Sequence, residues 1–167
     1  MKTKRDIALT VILTLAAVGQ IVLTFLLYNQ DGNIAIINLG WVILWNSAIL
    51  GWLPIFTFRK YGRVPKGKSY IQTTLLVERG VYAIVCHPQY LAGILMGLAL
   101  PLISQHWLVA ALGLIVMIIL YINTWDEDKA NIEKFGEAYR QYMQRVPRLN
   151  FLLGIIRIII QRGKARS

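Results

Sequence analysis

The chain reads as an all-α integral membrane protein of one domain, residues 1–167, with about four transmembrane helices, a cytoplasmic amphipathic C-terminal helix and a short interfacial C-terminal segment. Three observations predict this. Of the 167 residues, 56% are hydrophobic, and mean hydropathy is +0.53. The apolar residues fall in long runs without Lys, Arg, Asp or Glu. The 18 Lys and Arg residues are confined to the two ends of the chain and one long connection. A chain of this length is one domain by size.

Residues 7–28 form the first uncharged run. As a helix it measures about 33 Å against a hydrocarbon core of about 30 Å, so it spans. The basic residues before it imitate a secretory signal. Its core is longer than a signal core and no small-x-small cleavage site follows, so it reads as a retained anchor. Residues 34–58 form a second run, with Pro54 placed to bend it near its end. Residues 88–104 and 106–124 are two further runs with almost nothing between them, a tight helical hairpin. Gly93 and Gly97 in the first of these form a Gly-x-x-x-Gly pair that lets two helices approach closely.

Lys and Arg occur at positions 2–5, in the connection 59–79 and from Lys129 onward, whereas the connections 29–33 and 104–106 have none. Under the positive-inside rule both termini and the long middle loop are then cytoplasmic. The net charge of +10 follows mainly from this topology. It also suits attraction to anionic lipid headgroups. A nucleic-acid partner is excluded, because no soluble module remains to carry a binding surface.

Residues 59–69 hold Gly62, Pro65 and Gly67 among basic residues and read as an irregular loop. After Trp125, the residues Ile132, Phe135, Tyr139, Tyr142 and Val146 recur at three- and four-residue steps, the apolar face of an amphipathic helix. Residues 151–160 are apolar apart from Arg157 and make only about 15 Å of helix, too short to cross. They read as an interfacial or docked segment, with Arg157 snorkelling. Trp107 and Trp125 stand at span ends as interface anchors.

Chemistry is concentrated in two blocks. Residues 80–93 read Gly-Val-Tyr-Ala-Ile-Val-Cys-His-Pro-Gln-Tyr-Leu-Ala-Gly, and beyond the hairpin Phe135-Gly136-Glu137-Ala138-Tyr139 runs on to Arg145-Val146-Pro147-Arg148. Together they resemble the cofactor-binding blocks of the isoprenylcysteine carboxyl methyltransferase and phospholipid methyltransferase superfamily, over about Leu76 to Pro147. The resemblance implies an integral membrane enzyme that moves a methyl group from S-adenosyl-L-methionine to a lipophilic acceptor. It places the cofactor region at about 76–90 and 125–148.

Such a cofactor carries a carboxylate, an ammonium, a sulfonium and an adenine, and each needs a partner. Pro88 suits the first turn of a helix, which puts His87 at its cap and turns the positive helix end toward an anion. Asp126, Glu127 and Asp128 begin the next segment at the far end of the hairpin, where one of them takes the ammonium. The family's acidic pair falls on Glu127 and Asp128. The cofactor-binding candidates are therefore Tyr82, His87, Pro88, Tyr90, Glu127, Asp128 and Tyr139, and the catalytic ones Glu127, Arg145 and Arg148. Tyr139 and Tyr142 read first as packing residues. The family usually has Arg immediately before His-Pro, where this chain has Cys86. Arg79, Arg145 and Arg148 are the replacements in reach, and the sequence leaves the choice among them open.

The acceptor predicted is a carboxylate, as in isoprenylcysteine carboxyl O-methylation, because the spans hold no acid or base to deprotonate an amine. A phospholipid or small lipophilic amine or thiol is the alternative acceptor. Other readings are a reductase of the sterol type, disfavoured by the short chain, and a non-catalytic lipid-binding or transport protein, disfavoured by spans without ionisable residues. Asn38, Asn46 and Asn123 are polar exceptions, read as hydrogen-bonding between helices. Cys86 is the only cysteine, so no internal disulfide forms, and its place beside His87 does not make a thiol catalyst. No metal is predicted, since His87 and His106 are nineteen residues apart and no zinc spacing exists. No Gly-x-Gly-x-x-Gly loop is present either. The membrane would be the inner membrane of a prokaryote or the endoplasmic reticulum of a eukaryote. Oligomeric state is left open.

Overall fold

The computed structural model describes residues 4–63 and 73–164. Part of the predicted loop at 59–69 lies outside these residues. The described residues form six helices and no strand: α1 (Lys4–Leu26), α2 (Ile34–Tyr61), α3 (Pro88–Ser104), α4 (Trp107–Phe135), α5 (Glu137–Arg145) and α6 (Phe151–Lys164), with a 3₁₀ turn at Gly80–Ala83. Three of them, α1, α2 and α4, are long and apolar enough to cross a membrane, and α3 is a shorter apolar helix of 17 residues. α2 continues through Pro54 to Tyr61.

The chain divides into two compact units. The described residues of Met1–Ile49 and Ala92–Trp125 form one, those of Leu50–Leu91 and Asp126–Ser167 the other. In the first, α3 and α4 meet backbone to backbone. A side chain at Gly97 would press on Met117 and the Gly113 carbonyl, one at Gly113 would collide with the Gly97 carbonyl, and one at Gly93 with Leu120. Gly93 and Gly97 therefore do what the small-residue pair predicted. Around them Ala99, Leu100, Ile103, Val109, Val116 and Ile119 are buried.

A polar group in α1 that sequence reading passed over ties this unit together. Gln20 is fully buried, and its Nε2 donates to the Gly97 carbonyl at 2.8 Å and the Val109 carbonyl at 3.3 Å. At the other end of the unit Asn33 and Gln105 exchange hydrogen bonds, and the Asn33 side chain accepts the Ala35 and Ile36 N–H groups to cap α2. Asn46 bonds within its own helix, to the Val42 carbonyl, rather than across helices.

In the second unit the predicted face is present but on two helices. α4 runs unbroken to Phe135, then Gly136 at φ +61° ends it and α5 starts. That φ is left-handed and suits glycine. Tyr139, Tyr142, Val146 and Cys86 form a buried cluster, with Leu76, Ile132, Phe135 and Met143 packed on it. The acidic cluster Asp126–Asp128 therefore lies within α4 rather than at the start of a new segment. Neither Pro nor Gly occurs between Leu114 and Phe135, so nothing stops the helix there.

Candidate functional site

His87 precedes α3 directly, and its carbonyl accepts the Leu91 N–H at 3.0 Å, the first bond of the helix. Pro88 stands at the first helical position, where its missing N–H costs nothing. The segment before it is held in register: Cys86 N–H donates to the Pro147 carbonyl at 2.9 Å and His87 N–H to the Arg148 carbonyl at 3.2 Å. The two motif blocks thus meet as a short backbone pair.

Their side chains converge on Asp128. His87 Nε2 lies 2.7 Å from Asp128 Oδ1, and Tyr139 donates its hydroxyl to the same oxygen at 2.8 Å. Arg148 Nη2 stands 2.7 Å from Asp128 Oδ2, as an ion pair whose angle falls short of a hydrogen bond. His87, Asp128 and Tyr139 are all buried. Burial alone would raise the Asp128 carboxyl, which lies past the apolar run 106–124. The hydrogen bonds with His87 and Tyr139 and the charge of Arg148 outweigh it and hold the carboxyl below its ordinary value. Burial and the bond to Asp128 push the Tyr139 phenol well above its usual range, so it stays a donor.

Glu127, one residue earlier, is exposed, and its carboxylate lies beside the Tyr90 phenol. Asn131 donates to it at 3.4 Å. Tyr90 in turn meets His87 edge to face at 5.7 Å. The structure therefore brings together His87, Pro88, Tyr90, Glu127, Asp128, Tyr139 and Arg148. Tyr82 and Arg145 stand outside this group. The Tyr82 ring stacks on Phe58 at 4.8 Å while its carbonyl accepts the Tyr142 hydroxyl at 2.8 Å. Arg145 pairs with Glu78 at 3.0 Å. Arg79 lies over the Tyr61 ring. Of the three arginines in reach, Arg148 alone contacts the His87–Asp128 pair.

Cys86 is buried, its thiol donates to the Val146 carbonyl at 3.3 Å, and burial pushes its pKa up to about 11. A thiol so placed is a packing group.

Two residues that hold the site were missed. Arg157 does not snorkel: its guanidinium donates to the Ala83 and Arg145 carbonyls, which end the 3₁₀ turn and α5. Gly154 of the same helix rests on the Ile84 carbonyl so closely that a side chain there would collide with it. The signal was a lone arginine in an apolar run, three residues after a glycine.

Residues 39–138 match the family model described as phospholipid methyltransferase. The match covers more than half of the chain, and it joins the helical membrane architecture and the His87–Asp128 cluster. In class the chain is thus a helical membrane protein of a methyltransferase family. It belongs to the phospholipid methyltransferase family, within the superfamily that the two motif blocks resemble. No curated protein and no solved structure matches the chain at a significant level.

Proposed function

We propose that this protein transfers a methyl group from S-adenosyl-L-methionine to a lipophilic acceptor that enters from the bilayer. The observation that carries this reading is the pairing of an exposed carboxylate, Glu127, with the Tyr90 side chain at the start of α3, next to the buried His87–Asp128 pair. The residues fit the cofactor by their chemistry. Glu127 is the partner for its ammonium, the first turn of α3 for its carboxylate and Tyr90 for its adenine or sulfonium.

When bound, that cofactor supplies an electrophilic methyl group on sulfur. The protein's task is then orientation and exclusion of water. Asp128 already has three partners, so it serves to lock His87, Tyr139 and Arg148 in place rather than to bind ligand. Arg148 takes the place of the arginine that the family carries before His-Pro.

The acceptor proposed is a carboxylate, as in the isoprenylcysteine enzymes, since a carboxylate is ionised at neutral pH and needs no base. His87 and Tyr139 both bond to Asp128, which leaves Glu127 as the one base of the group in the open. The family description favours a second reading, a phospholipid amine, for which Glu127 would receive the proton.

Calorimetric titration of detergent-purified protein with S-adenosylhomocysteine tests the site. Micromolar binding lost in Glu127→Ala and in His87→Ala supports it, and a folded wild-type protein that binds nothing overturns it. Radiolabelled methyl transfer to a prenylcysteine analogue against phosphatidylethanolamine then decides the acceptor.

A further inference from the structure

Helix α6 has two faces with different partners. Its inner face carries Gly154 and Arg157. The first lays the α6 backbone on the Ile84 carbonyl, and the second grips the Ala83 and Arg145 carbonyls. Those carbonyls sit just ahead of the paired segments Cys86–His87 and Pro147–Arg148, so one side chain bridges the two segments that lead into the site.

The outer face carries Leu152, Leu153, Ile156, Ile159 and Ile160, each between 52% and 72% exposed, within an arc of about 120° at 100° per residue. At 14 residues α6 is about 21 Å long, too short to cross a bilayer. The sequence of α6 and its flanks carries charge of one sign: residues 149–167 contain Arg157, Arg162, Lys164 and Arg166 and no Asp or Glu, and the last three follow the apolar residues in the sequence. An apolar arc followed in sequence by cations matches the acyl boundary and headgroups of an anionic bilayer surface.

We propose that α6 lies in an anionic bilayer surface by its outer arc and, through Gly154 and Arg157, sets the two site loops in register, so that Arg157 is a positioning residue whose effect depends on lipid charge. This goes beyond the methyl-transfer reading and stands on contacts within the chain.

The test uses the full chain in nanodiscs of phosphatidylcholine alone and with phosphatidylglycerol added. One readout is a polarity-sensitive fluorophore on Ile160→Cys, with the buried Cys86 thiol remaining unlabelled. The other is hydrogen exchange at the Cys86 and His87 amides, with α1 amides as the control for intact fold. In anionic discs the fluorophore should shift to the blue and the two amides should exchange several-fold more slowly. Arg162→Gln with Lys164→Gln should abolish both differences, and Arg157→Gln the exchange difference alone, with partial return in Arg157→Lys.

Equal emission and exchange in the two lipids would overturn the proposal, as would His87 exchange indifferent to Arg157→Gln. Fluorophore burial that follows the number of copies per disc rather than lipid charge would assign the face to a second copy and overturn it too. Absent S-adenosylhomocysteine binding beside a full lipid response would count against the methyl-transfer reading and leave this one standing.

Discussion

Glu127 and Asp128 are neighbours in sequence and opposites in environment, the first exposed and the second buried among three partners. Glu127→Gln should therefore leave the melting temperature unchanged and weaken S-adenosylhomocysteine binding at least tenfold, a loss of about 1.4 kcal/mol or more. Asp128→Ala should destabilise the fold by about 2–4 kcal/mol, because it strands the buried His87 and the partly exposed Arg148, and should lower the melting temperature in detergent. The Asp128 carboxyl is held below its ordinary value, so its contribution is intact at neutral pH and is lost only as pH falls below about 4. A thiol raised to about 11 makes Cys86 a slow nucleophile. At pH 8 the native protein should react with iodoacetamide on the order of 100-fold more slowly than the unfolded chain, measured by mass. The candidates His87, Pro88, Tyr90, Glu127 and Asp128 were legible in sequence because their spacing follows a motif. The choice of Arg148 over Arg79 and Arg145 was not, since which arginine reaches the carboxylate depends on where the fold carries each.

At the level of the element, two glycines with different work give different predictions. Gly113 faces the Gly97 carbonyl and Gln20, so Gly113→Ala must push α3 and α4 apart and should cost several kcal/mol or prevent assembly. Gly136 has open space around a left-handed backbone, so Gly136→Ala should cost only about 1–2 kcal/mol, the strain of φ alone. Thermal melts of the two variants in one detergent compare them directly. The hairpin of α3 and α4 was legible from its apolar runs and its small-residue pair. The length of α4 was less so: a run of charges after Trp125 looks like the end of a span, yet Glu, Lys and Ala in it are good helix formers and neither Pro nor Gly falls between Trp125 and Gly136. Arg157 misled for a related reason. A cation in an apolar helix suits either solvent or a carbonyl, and only the path of α6 past Ala83 and Arg145 selects the carbonyls.

For the molecule as a whole, the separation of charge predicts orientation. A reporter active only in the cytoplasm should work when fused at either end of the chain and fail when inserted near Asp31, since the basic residues lie at the termini and in the connection after α2. A reporter active at one end alone would remove the fourth crossing. By itself the sequence determined that this is a helical membrane protein and where its long apolar helices run, and it pointed through two blocks to a methyltransferase family. Run length, charge placement and motif spacing are local properties, readable without knowing what touches what. The tertiary structure decided what lies opposite what. It alone closed His87 on Asp128 across 41 residues, set Arg148 on the same carboxylate, buried Gln20 against Gly97 and turned Arg157 into a clasp. Such contacts depend on angles and distances between segments remote in the chain, and those exist only once the backbone has folded.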